Sequence, residues 1–157
     1  MRLILTINLL ILLLISSCRP SGEKKEAIQE VPPAGSMAGE SYPTVPDSLM
    51  QKLWERCDYI DFIFYQLNFS LSPDQKTDIQ KSVEHIAASA PAIQAACKPV
   101  GRVFYQIEGE NVLEGDIYFS PECQYFIFYR DGKKVYANAM TPQSIQFYER
   151  VFSMVNQ

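Results

Sequence analysis

The 157-residue sequence has a single histidine, His85, and contains no Cys-x-x-Cys pair, no Gly-x-Ser-x-Gly and no EF-hand spacing. Serine hydrolases need an imidazole beside the nucleophile, and zinc ribbons and thioredoxin-like centres need closely spaced cysteines. None of these classes is supported. Positive charge is scarce and scattered: 14 Lys and Arg stand against 18 Asp and Glu, for a formal net charge of −4. A protein that binds nucleic acid by neutralising phosphates is therefore disfavoured. The longest apolar run, from Leu3 to Ile15, also falls short of the roughly 20 residues that a bilayer-spanning helix requires.

That run is informative for what flanks it. Arg2 precedes it and Ser16-Ser17-Cys18 follows it. A basic start, an apolar stretch of about 7–15 residues and small residues at its end make a secretory signal. Ile15-Ser16-Ser17-Cys18 further resembles the lipobox of bacterial lipoproteins. The resemblance implies cleavage before Cys18, a diacylglycerol thioether on its sulfur and acylation of the new amine. Residues 1–17 would then be the signal peptide, and Cys18 the attachment to the membrane. Each buried methylene adds about 0.8 kcal/mol, so two or three acyl chains hold a protein on a bilayer essentially permanently. In lipoproteins of the enteric type, Asp after the cysteine favours inner-membrane retention; Arg19 stands there instead, which points to the outer membrane, facing the periplasm.

Residues 18–45 carry Pro20, Pro32, Pro33 and Pro43 and show no sustained apolar period, so they read as a disordered linker. A flexible coil of that length spans about 30 Å. Residues 46–157 are the size of one ordinary domain. With Cys18 lipidated, Cys57, Cys97 and Cys123 remain, and outside the cytoplasm two of them are expected to pair. Spacing alone leaves three pairings open.

The domain reads as α+β: a four-stranded antiparallel β-meander with two N-terminal helices and one C-terminal helix. Ser48 and Gln51 form a capping box before Leu49, Leu53, Cys57, Ile60, Phe64 and Leu67, an amphipathic stripe at spacings of four and three. Ser72-Pro73-Asp74-Gln75 starts a second helix with Ile79, Val83, Ile86 and Ala90 inward, and Pro91 ends it. The strands are expected at 102–108, 112–119, 123–129 and 133–139, with Asp131-Gly132 a hairpin turn. A three-residue loop at 109–111 would set Ile107 against Leu113 and Val103 against Ile117. Thr141-Pro142 opens the last helix. In such a meander the first and third strands begin at the same sheet end, which favours a Cys97–Cys123 bridge.

Function is less legible. His85 falls on the outer arc of the second helix, as a solvated residue, and no catalytic residue, metal site or cofactor is expected. Glu114 and Asp116 share a strand face, as Asp58 and Asp61 share a helix surface, and either pair reads first as solvated acid. The sharper pattern is aromatic. Phe104, Tyr118, Tyr125, Tyr129 and Tyr136 fall on one sheet face among Arg102, Gln106 and Lys134, a composition suited to recognition. A helix or the linker covering that face is the competing reading. The resulting expectation is a lipid-anchored, non-enzymatic envelope protein that binds a protein or a small ligand through this face. The alternatives are a cation-dependent envelope enzyme using Glu114 and Asp116, or a purely structural lipoprotein.

Overall fold

Between residues 59 and 64 the chain reads Tyr-Ile-Asp-Phe-Ile-Phe, and the fold turns on which periodicity this segment obeys. In the structure, a computed structural model that describes residues 40 to 154, it is a strand. The first helix, α1 (Asp47–Arg56), stops at Cys57, whose backbone is extended at ψ 127°, and β1 (Tyr59–Phe64) follows. Then come β2 (Ser70–Leu71), α2 (Lys76–Val83), β3 (Gly101–Ile107), β4 (Glu110–Ser120), β5 (Cys123–Arg130), β6 (Lys133–Ala139) and α3 (Pro142–Ser153).

All strand pairs are antiparallel, and the sheet order is β2-β1-β3-β4-β5-β6. The expected four-stranded meander is thus corrected to a six-stranded sheet with three helices among the described residues. The reason lies in the spacing. Ile60 and Phe64 are four apart, which places them on one face of a helix and equally on one face of a strand. Phe62 breaks the tie: it would point away from them on a helix, yet it is buried at 1 % exposure beside Ile60 at 0 % and Phe64 at 4 %.

One sheet face carries these residues with Val103, Tyr105, Leu113, Ile117, Phe126 and Phe128, and the helices supply Leu53, Ile79, Val83, Tyr148 and Val151 to the same core. Gly115 is required in it, because a Cβ there would stand 2.5 Å from the Phe128 ring. Thr141 caps α3 as its sequence indicates, accepting the Ser144 N–H at 3.3 Å. The other two starts differ. Pro46 and Gln75 are the N-caps, without a side-chain cap bond, and Gln51 bonds Glu55 instead. The domain also reaches into the stretch assigned to the linker, since Val45 is 3 % exposed and Pro43 accepts the Ala137 N–H.

Register differs in two places with opposite consequences. The β3–β4 hairpin turns through Glu108 and Gly109, both at positive φ, so Tyr105 faces Leu113 and Val103 faces Gly115. As far as Tyr105 this is a shift of two from the expected pairing, which leaves the side chains on their expected faces; beyond it an irregularity sets Gln106 against Asn111 and Ile107 against Glu110, and Val112 packs against the core. Asp131-Gly132 does turn the β5–β6 hairpin, with Tyr129 opposite Lys134, but a bulge follows and Phe128 meets Tyr136 rather than Val135. One extra residue exchanges faces.

If β1 is a strand, Phe62→Ala should cost about 3–5 kcal/mol as a core truncation. Ile63→Ala, on the opposite face and 43 % exposed, should cost less than about 1 kcal/mol. Urea unfolding of the two variants checks this.

Candidate functional site

The sheet face turned away from the helices is ordered in rows by the strand register. One row runs Asp61, Phe104, Glu114, Tyr129, Lys134; the next runs Ile63, Arg102, Asp116, Ile127, Ala137; a third joins Tyr118, Tyr125 and Ala139. The rows pass from open at β1 and β3 to closed at β5 and β6. Tyr118 and Tyr125 stack at 4.7 Å and are only 7 % and 2 % exposed. With Ile127 and Ala137 they form a second small core, packed by Tyr42, Ile93, Cys97, Cys123 and, at its edge toward the open part, Tyr129. Cys97 and Cys123 are joined by a disulfide with a Cα–Cα distance of 5.9 Å, which ties the segment before β3 to the start of β5. Cys57 is a free, buried thiol, and desolvation raises its pKa.

The five aromatic residues expected together therefore separate. Phe104 and Tyr129 stay half-buried on the open part of the face. Tyr118 and Tyr125 lie under cover. Tyr136, carried over by the β6 bulge, packs against the helix-side core, and its hydroxyl accepts from Arg130 at 3.3 Å.

Asp116 organises the open part. Its carboxylate, 6 % exposed, accepts Arg102 Nε at 2.9 Å and lies 2.8 Å from Arg102 Nη2. Tyr129 Oη donates to its other oxygen, Oδ2, at 2.7 Å, and Tyr65 Oη donates at 3.4 Å to Oδ1, the oxygen that Arg102 also engages. The Arg102 guanidinium also lies 4.9 Å from the Tyr129 ring centroid. Burial, and then the hydrogen bond to Asp116, raise the Tyr129 pKa, so the phenol stays a donor. Both oxygens of Asp116 are thus engaged, an arrangement that fixes side chains rather than leaving a carboxylate free for a cation. Among the described residues no three His, Cys, Asp or Glu side chains gather as a metal site. Ile63, 43 % exposed, and Tyr65, 53 % exposed, flank the cluster.

The sequence misplaces His85. Because α2 ends at Val83 rather than near Pro91, His85 sits in the following turn, and its carbonyl accepts the Thr141 N–H that begins α3. It is 7 % exposed, its ring lies 4.8 Å from Phe147, and its Nδ1 has no hydrogen-bond partner. Burial, with Arg150 nearby, lowers its pKa to about 4. A helix drawn two turns too long hid this, and no local residue marks the earlier end.

No family model, curated protein or solved structure matches the chain.

Folding disfavours protonated His85, so the unfolded state binds the extra proton between its ordinary pKa of 6.5 and about 4. Stability should be complete above pH 6.5 and fall as pH drops through that window, by about 2–3 kcal/mol. Urea unfolding from pH 7.5 to 4 should show this loss in the wild type and a smaller one in His85→Gln. The disulfide closes a loop with a sequence separation of 26 residues. Its removal in Cys97→Ala/Cys123→Ala should cost about 3–4 kcal/mol by loop entropy, and tyrosine fluorescence quenching should report Tyr118 and Tyr125 becoming accessible.

Proposed function

We propose that this is a lipid-anchored protein of the bacterial cell envelope, held through Cys18 on the periplasmic side of the outer membrane. Its domain serves as a non-enzymatic binding module for another envelope protein. The lipobox-like Ile15-Ser16-Ser17-Cys18 supports the anchor; it lies outside the described residues, as does most of the linker. The observation that carries the binding role is the open part of the sheet face. There Ile63 and Tyr65 are exposed beside a prearranged Arg102–Asp116–Tyr129 cluster, with Phe104 in the adjoining row. Apolar and aromatic groups next to an arginine whose rotamer is already fixed lose little entropy on binding, which suits a protein partner. The net charge of −4 weighs against nucleic acid. Of the five aromatics, Phe104 and Tyr129 are assigned to contact, whereas Tyr118, Tyr125 and Tyr136 support the fold.

Two experiments test this reading. Cys18→Ala should shift the protein from the membrane fraction to the soluble fraction of the envelope; retention on the membrane would refute the anchor. Ile63→Asp combined with Phe104→Ala should remove the main cross-linked species seen from intact cells. An unchanged cross-linking profile would leave the purely structural role in its place.

A further inference from the structure

On the other side of the sheet, a cavity of about 550 Å³ opens between α2, α3 and the β1–β2 edge. That volume lies within the roughly 300–1,000 Å³ typical of small-molecule sites. Phe62, Leu71, Pro73 and Phe147 form its apolar wall, and the aromatic surface is continuous: Phe62 to Phe147 is 6.0 Å between ring centroids and Phe147 to His85 is 4.8 Å. His85 lines the cavity while its Nδ1 remains unpartnered in a side chain 7 % exposed. Buried polar atoms in folded proteins nearly always have a partner, but this nitrogen is closed off, as are the equally unpartnered Tyr105, Tyr125 and Tyr148 hydroxyls and Ser144 Oγ, so a ligand's polar partner on this wall must be one of the charged side chains.

The charges around the cavity narrow what that partner is. On α2, Asp78 and Lys81 close on each other at 2.9 Å. Glu84, in the following turn, is exposed at the rim. On α3, Arg150 forms no ion pair among the described residues, and it is the charged group that acts on the imidazole. The four charged side chains of the lining cancel in sum, and with Lys81 held by Asp78 the cation left to meet a ligand is Arg150. A planar carboxylate matches the guanidinium fork of Arg150.

We infer that this cavity binds a small aromatic carboxylate, with its ring against Phe147 and its anionic group on Arg150. The site is separate from the sheet face assigned above and does not rest on that assignment.

Calorimetry on the intact protein with indole-3-acetate, indole and tryptamine tests the inference. Indole-3-acetate should bind most tightly, and Arg150→Gln should weaken it by about tenfold, the scale of one charge-assisted hydrogen bond, while leaving indole unchanged. Lys52→Gln, an exposed cation outside the cavity lining, should change neither. Because residue 150 is exposed, the Arg150→Gln variant is expected to fold, and its far-UV circular dichroism should match the wild type. Tryptamine binding as tightly as indole-3-acetate, or an Arg150→Gln variant of unchanged affinity, would overturn the assignment. So would no binding by any of the three at millimolar concentration.

Discussion

The side chain of Asn138 holds the irregular part of this domain to its sheet. It is 1 % exposed; its Oδ1 accepts the Val45 N–H at 2.9 Å, and its Nδ2 donates to the Ala87 carbonyl at 2.8 Å. Around it, Pro43 accepts from Ala137, Ser89 accepts from Ala139, and Ala87 donates to the Ala139 carbonyl. Two segments that are neither helix nor strand thereby stand where a seventh strand would lie. An uncovered edge strand is a template for pairing with other chains, so this cover has a function in itself. Each buried backbone group left without its Asn138 partner would cost about 1–3 kcal/mol. One amide thus couples the start of the ordered domain, the turn after α2 and the last strand.

The same two segments determine what the sheet can offer. Among the described residues three helices cover one face of the six strands, and the second face is covered where the chain around Tyr42 and Ile93 reaches, pinned by the Cys97–Cys123 bridge. Tyr118 and Tyr125 become a small core, and their rings stabilise the fold by burial instead of recognition. Beyond that boundary the face stays open, and there Asp116 holds Arg102 and Tyr129 in fixed rotamers. Closed and open parts meet along a single row, in which Ile127 is buried and Ile63 is exposed. The selectivity of the surface is therefore set by how far an irregular segment extends, not by a change in the sheet.

How much of this was readable from residues alone depends on which symmetry each inference used. From Gly101 to Tyr105 and from Leu113 to Ile117 the side chains kept their faces despite a different turn, because a slip of two preserves a period of two. Tyr136 did not, because the bulge after Asp131-Gly132 adds one residue, and no glycine or turn residue announces it. The segment 59–64 was ambiguous for a related reason: spacings of four satisfy both helix and strand, and only Phe62 separates them. Its β-branched and aromatic content was the available signal. The Thr141-Pro142 helix start was legible because its cap is local, whereas the burial of His85 depends on where α3 docks. That is a contact between residues far apart in sequence.

Strand β1 is the wall between the two candidate sites. Phe62 points into the cavity and Ile63, its neighbour, stands on the open face. Whether occupancy of one side reaches the other depends on how freely this strand moves. It is paired to β3 along its whole length, and at its end a Cβ on Gly101 would lie 2.6 Å from the Ile63 carbonyl oxygen. Backbones already so close have no slack for a shift of β1 toward β3. Movement the other way breaks the pairing, since β2 contributes only two residues on the outer side. Interactions in the cavity must then be absorbed by side chains of α2 and α3, such as Phe147, before they displace Ile63. The sheet stands between the two surfaces, with Phe62 on one side and Ile63 on the other.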